Sequence, residues 1–141
     1  MKLKYLVIAA IVMILAGAAI GLKMFFKPHA DVSKMKADLN VEASVLISEF
    51  ETDESAATLK YGEKNLEITG KLVSKSKLAQ GAEVLVLENE MQGISCQLDS
   101  AWASENRILV ESVQAGQQIT VKGICKGYLM EVKVSPAVIV Q

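Results

Sequence analysis

A small, mainly β barrel behind an apolar N-terminal helix is the architecture predicted by this chain of 141 residues. Three observations predict it. Tyr5 to Leu22 is an unbroken run of apolar and small residues, with Lys2 and Lys4 before it and Lys23 after it. From Leu66 onward, apolar residues recur at every second position in short runs separated by polar turns, the period of half-buried strands. One stretch with helical spacing lies between the third and fourth of those runs.

The N-terminal run covers 18 positions. At about 1.5 Å of rise per residue it would make a helix of roughly 27 Å, close to the hydrocarbon thickness of a bilayer. Two readings compete. Met1-Lys2-Leu3-Lys4 and Ala16-Gly17-Ala18 suit the basic start and cleavage site of a signal peptide. The run, however, continues through Leu22, and the aromatics Phe25 and Phe26 follow it, as in an anchor with an interfacial belt. The expectation is an uncleaved transmembrane anchor over residues 1–23, with a cytoplasmic N-terminus and a periplasmic domain. Lys23 and Lys27 oppose that orientation, and secretion after cleavage is the alternative. With no cysteine near this end, lipid attachment through cysteine is excluded.

Residues 24–38 are polar and read as a juxtamembrane linker holding Pro28 and the only histidine, His29. No Cys, Asp or Glu sits near His29 at ligand spacing, so a solvated residue is expected rather than a metal ligand. Residues 39–141 have room for one domain. From Lys23 to Glu63 the chain is acidic, with Asp31, Asp38, Glu42, Glu49, Glu51, Asp53, Glu54 and Glu63 outnumbering five lysines, whereas charges balance from Lys64 onward. A protein that grips a phosphate backbone usually shows a basic excess, and neither part has one.

Leu39 to Tyr61 reads as a helical lead. Ala43, Leu46, Ile47 and Phe50 share one helical face, and Thr52 or Asp53 can cap a second short helix over Glu54 to Lys60. Leu66, Ile68, Gly70 and Leu72 then alternate with polar residues in a first strand, and Ser74 to Gly81 reads as a polar loop. Glu83 to Leu87 is the second strand and Ile94 to Leu98 the third. Ala101 to Val113 reads as a helix, Ile119 to Gly123 as the fourth strand and Tyr128 to Val134 as the fifth. Val138 and Val140 extend the fifth past Pro136, whose missing N–H suggests an edge or a bulge. Three strands, a helix, then two strands is the order of an OB-fold, a five-stranded Greek-key barrel with a helix between strands three and four.

The layout of an apolar N-terminal segment and a helical lead with Tyr61 resembles the tRNA-anti-like group of bacterial OB-fold domains. So do Leu66-Glu67-Ile68-Thr69-Gly70-Lys71, Gly93-Ile94-Ser95-Cys96-Gln97-Leu98 and Gly116 through Gly127. The resemblance covers roughly Val41 to Val140. It implies an OB barrel located in the envelope, of undefined activity; the family name reflects fold kinship with anticodon-binding domains and does not imply tRNA binding.

Cys96 and Cys125 fall in phase with core positions. In an OB barrel the third and fifth strands run side by side, so Cys125, at a turn into the fifth, could approach Cys96. Such a pair outside a membrane is usually oxidised. The alternative is two buried thiols acting as small hydrophobes. No Cys-x-x-Cys spacing points to redox chemistry.

No nucleophile elbow, zinc-protease motif, phosphate loop or dinucleotide fingerprint is present, and no enzyme activity, metal or cofactor is expected. The acidic run Glu49 to Glu54 reads as a solvated helix end. The expected function is a membrane-anchored, extracytoplasmic binding or assembly module that recognises a protein or an envelope glycan. Its expected ligand-face residues are Lys71, Ser95, Gln97 and Tyr128, with the loops Ser74 to Gly81 and Lys126 to Tyr128. The alternative is an oligonucleotide binder. Such barrels stack bases on aromatics of the second and third strands, and here those strands carry none, so nucleic acid is not an expected partner.

Overall fold

The computed structural model describes residues 2–25 and 31–140, and within the first helix the side chains of residues 4, 5 and 7–22. His29 and Phe26 lie outside the described residues. Helix α1 spans Lys2–Phe25, and its large apolar side chains, from Tyr5 to Leu22, are exposed. Among the described residues no helix is long and apolar enough to cross a membrane.

The remaining elements are β1 Leu39–Glu42, α2 Ala43–Thr52, α3 Glu54–Tyr61, β2 Asn65–Lys77, β3 Glu83–Leu87 and β4 Ile94–Leu98. They continue with α4 Ser100–Glu105, α5 Arg107–Ser112, β5 Gln118–Leu129 and β6 Glu131–Val140. The strands run in the order β1-β2-β3-β4-β6-β5, and β2 also pairs with β5. That extra pairing closes β2, β3, β4, β6 and β5 into a five-stranded barrel, and β4–β6 is its one parallel seam. The architecture is mainly β and consistent with an OB-fold. β1 stands outside the closed ring, parallel to the first half of β2.

β2 makes the closure possible because its two halves have different partners. Asn65 to Lys71 pair with β5, whereas Leu72 to Lys77 pair with β3, with a register shift between Leu72 and Ser74. Gly70 sits just before that change. A Cβ there would lie 2.5 Å from the Cβ of Ala43, so glycine lets α2 press onto the strand. Leu66, Ile68, Leu72, Leu85, Leu87, Ile94, Val121, Val132 and Val134 fill the interior.

The helical lead caps the barrel through the face that the spacing predicts: Ala43, Leu46 and Phe50 of α2 are buried. Asp53 caps α3, its Oδ1 accepting from the Ala56 N–H at 3.0 Å. Leu39–Glu42 is a strand rather than the start of a helix. Leu39 and Val41 turn inward while Asn40 and Glu42 are exposed, and the chain is held beside β2 by Asp38, which bonds Asn65 in both directions. Four residues of tertiary pairing outweigh local helix preference here.

Four further expectations are corrected. Ser74 to Lys77 is strand, not loop, since it pairs with Glu83 to Val86. The single helix over Ala101–Val113 is two short ones, broken at Asn106 (φ −109°, ψ 29°), whose side-chain amide donates back to the Trp102 carbonyl. The fourth strand runs on to Leu129, so Tyr128 belongs to β5 and the hairpin turns at Met130. The proposed disulfide is absent and both cysteines are free and buried. Cys96 lies opposite Val134 on one side of β6 and Cys125 lies opposite the same Val134 on the other. Two strand spacings, about 9–10 Å, separate them, beyond the roughly 7 Å Cα separation a disulfide can bridge.

Part of the expected linker is docked. Asp31 to Asp38 form a strap over the outside of the barrel. Val32 is buried, the Lys122 ammonium donates to the Ser33 carbonyl at 3.0 Å, and the Asn65 side-chain amide donates to the Lys36 carbonyl at 3.2 Å.

Candidate functional site

The strands β3 and β4 alternate strictly, so the inward positions that build the core leave a second set pointing out. Leu85, Leu87, Ile94, Cys96 and Leu98 are buried. Between them, the outward Val84 lies opposite Gln97 and Val86 opposite Ser95. β2 sets Ser76 beside Val84, and β6 sets Lys133 beside Ser95. Beyond Cys96, β6 carries more residues than β4 before Leu98 meets Ala137, so Ser135 and Pro136 bulge opposite Gln97. A bulge bends its strand and re-aims side chains. The result is a groove of about 470 Å³ with an aliphatic floor of Val84 and Val86 and polar groups from Ser76, Ser95, Ser135 and Gln97. Leu78, at the β2–β3 turn, and Glu131, at the β5–β6 turn, mark its ends.

The groove is electrically quiet. Its lysine, Lys133, is paired with its carboxylate, Glu131. At the β2–β3 end Lys77 lies 3.5 Å from Glu83. The same holds across the domain: Lys34, Lys60, Arg107 and Lys126 are in ion pairs with Asp31, Glu49, Glu111 and Glu63. Lys75 closes the C-terminal end of α5 by donating to the carbonyls of Val110 and Val113, and Lys122 is committed to the strap. Few cations remain to meet a phosphate chain.

The structure brings two of the four expected ligand-face residues together: Ser95 and Gln97 share the groove. Lys71 does not join them. It is exposed opposite Gln118 on the far seam, and its backbone N–H donates to Glu88 at 2.9 Å. Tyr128 is a packing residue, stacked on Phe50 with centroids 5.6 Å apart and 13° between planes. Val84, Val86, Ser76 and Ser135 were missed. Val84 and Val86 lie in a run that is nearly all apolar, so no polar–apolar alternation marks them as outward; Ser76 was hidden by reading its segment as loop.

A roomier crevice of about 580 Å³ lies between the strap and α4, lined by Asp31, Lys34, Asp99, Trp102, Glu105 and Val138 among others. It is a gap where two elements meet on the outside of the barrel. Asp31 and Lys34 neutralise each other, with the Ser33 hydroxyl and Lys34 holding the Asp31 carboxyl below its usual range, and Asp99 is spent capping α4.

The thiols have no place in a reactive site. Burial pushes the Cys96 thiol up to about 12 and raises that of Cys125 as well, the opposite of what a nucleophile needs. Among the described residues no group of three His, Cys, Asp or Glu side chains could hold a metal ion.

The tRNA_anti-like family matches residues 1–136. The chain belongs to that family. No curated protein matches it. Among solved structures it is similar to a Klebsiella pneumoniae lipoprotein provisionally called nucleic acid-binding. That match has 16% identity and a TM-score of 0.56, covering 82% of this chain and all (100%) of the other. A weaker likeness is to a structure of yeast Stn1 and Ten1, at 17% identity and a TM-score of 0.47, covering 77% of this chain and 65% of that one. At 16% identity the likeness to the Klebsiella protein shows a shared fold alone.

Proposed function

We propose that this tRNA_anti-like protein is a non-catalytic binding module whose β3–β4–β6 groove takes a segment of a protein partner, and that α1 anchors it in a membrane with the barrel outside. The observation that carries the groove reading is its lining. Aliphatic floor, hydroxyl and amide walls and an internally paired charge suit an extended polypeptide, whose side chains fill apolar pockets while its amides bond polar walls. Sugars and bases both favour an aromatic platform, and the groove has none. Trp102 lines the crevice beside the strap, and Tyr61 and Tyr128 pack with Phe50. Support for the anchor is the apolar run Tyr5 to Leu22 with its exposed side chains. A lipoprotein of the same fold agrees with an envelope location.

A photo-crosslinker at Gln97 in the full chain, in its own cells, tests the groove, with the same group at Lys71 as control. A discrete protein adduct from position 97 and none from 71 is expected. Adducts that shift with glycan-degrading enzymes, or equal adducts from both positions, would overturn it.

The second reading is nucleic-acid binding, favoured by the provisional name of the Klebsiella protein. Against it stand the acid excess from Asp31 to Glu63, the engaged cations and the missing aromatics. Fluorescence anisotropy with mixed-sequence single-stranded DNA and RNA decides: no micromolar binding at physiological salt is expected. Binding that weakens steeply with salt would promote this reading over the first.

A further inference from the structure

The barrel end away from the strap carries exposed apolar side chains that the groove does not use. Met91 is 78% exposed in the β3–β4 turn; Leu129 and Met130 are 77% and 76% exposed at the β5–β6 turn. The two turns adjoin: Ile94 pairs with Val132, and the Val132 N–H donates to the Gly93 carbonyl at 3.0 Å. Met91 and Met130 each lie two positions before that junction. Met130 also sits at φ 64°, a left-handed conformation that a bulky side chain rarely adopts and that glycine would take without strain. A large apolar residue kept there, in water, is a local conflict of the kind found at contact sites.

The surroundings say what such a patch would meet. Both lysines next to the tip are already neutralised, Lys126 by Glu63 and Lys133 by Glu131. Glu88 and Glu90, in the same turn as Met91, are exposed. Neither is in an ion pair among the described residues, and the one nearby cation, Lys71, gives its backbone N–H to Glu88, so two carboxylates face one lysine and the charge at the rim is net negative. Anionic headgroups or phosphates would be repelled, whereas a basic chain would be drawn in. Methionine adds an adaptable apolar surface. The strap reaches β5 at Lys122, roughly 26 Å along the strand from Met130 at the usual rise, so the tip is clear of it.

We propose that Met91, Leu129 and Met130, rimmed by Glu88 and Glu90, form a docking surface for a basic, apolar segment of a protein partner. This surface adjoins the Glu131 end of the groove but uses none of its lining side chains, and does not depend on the groove's ligand.

The test uses the full chain in phosphatidylcholine nanodiscs and two labelled synthetic helical peptides, one built of Leu and Lys, the other of Leu and Glu. The Leu/Lys peptide should bind at least tenfold tighter, and the double variant Met91→Ser, Leu129→Ser should lose tenfold or more of that affinity. Gln97→Ala should leave it unchanged. Met130→Gly separates docking from folding: it should weaken peptide binding while raising Tm by about 2–5 °C, because glycine relieves the positive φ. Equal binding of the two peptides, binding indifferent to Met91 and Leu129, or equal binding to empty nanodiscs would overturn the proposal.

Discussion

One side of the barrel is covered and the other is bare, and the two are built from different kinds of residue. On the covered side the strap, β1 and the helical lead lie on β2 and β5, through Val32, Asn65, Phe50 and Tyr61. Contact there is close enough that glycine is required. A Cβ at Gly70 would stand 2.5 Å from the Cβ of Ala43 in α2; in the barrel's own β5–β6 seam a Cβ at Gly123 would stand 2.5 Å from Val134 Cγ1, 2.8 Å from the Pro136 carbonyl and 2.9 Å from the Ala137 Cβ. On the bare side the outward residues are Ser, Gln and Val with the Glu131–Lys133 pair, half-buried or exposed, and none of the other described residues lies over them. Stability is concentrated where the chain covers itself. The uncovered face is free to be spent on recognition.

The largest break should come from the lead. Phe50 is buried, stacks on Tyr128 and packs at 6.1 Å from Tyr61, so it ties α2 to α3 and to β5. Phe50→Ala should cost about 3–5 kcal/mol, as truncation of a buried aromatic usually does. Denaturant unfolding would measure it. A loss near 1 kcal/mol would mean that the lead is an appendage and not a lid.

Next comes the seam. Gly123→Val should destabilise by about 2–3 kcal/mol, the usual cost of overpacking, because one of its obstacles is backbone. Gly127→Val should cost less: its φ is 114°, which strains any side chain, but nothing lies within 4 Å of its Cβ. Equal losses in thermal unfolding would place the seam elsewhere.

Much of this was legible beforehand, and the misses share a cause. Period-two runs at Leu66 to Leu72 and Ile94 to Leu98 report one-sided burial, which is what a barrel wall imposes, and Glu83 to Leu87 between them reads as a strand that is nearly all apolar. The order of elements then pointed to the OB-fold. What composition could not reveal was pairing. Leu39–Glu42 becomes a strand only because Asp38 and Asn65 latch it to β2. Ser74–Lys77 stays polar as a strand because its side chains face outward or lie at the barrel rim. Ending the fourth strand at Gly123 instead of Leu129 moved Tyr128 onto the ligand face and Cys125 into false reach of Cys96. Of the site, Ser95 and Gln97 came from alternation alone. Its other walls needed the register between strands.

The thiols sharpen the boundary between the two sides. Cys96 lies between Ser95 and Gln97 in sequence but points into the core, with 0% exposure. Burial raises its folded pKa to about 12 from the ordinary thiol value of 9.0, so the folded state holds its proton where the unfolded state releases it. The stabilisation is therefore complete below pH 9 and is lost as pH rises from there toward 12. The slope should approach 1.4 kcal/mol per pH unit for this group, about one pK unit's worth of free energy for each unit of pH. Cys125 shifts in the same direction through burial. Urea midpoints between pH 8 and 10.5 would reveal the fall, and Cys96→Ala should flatten it. A midpoint indifferent to pH would show that the thiol reaches solvent.

The smallest effect belongs to the bare face. Gln97 is exposed on β4, opposite Val84 and beside the bulge at Ser135, and its side chain lies over the groove, not over the core. Truncating it removes no buried contact and leaves no buried group unpaired, so Gln97→Ala should change stability by less than about 0.5 kcal/mol. Its neighbour two positions back, Ser95, should behave alike. If the groove is where this protein binds, these two substitutions separate the properties that Phe50→Ala confounds: folding intact, partner lost. A Gln97→Ala protein that unfolds 2 kcal/mol more easily than the parent, a large effect by the standard of surface positions, would mean that Gln97 holds the β6 bulge in place. The groove would then be part of the fold's own support, and the contrast between covered and bare sides would fail at its central residue.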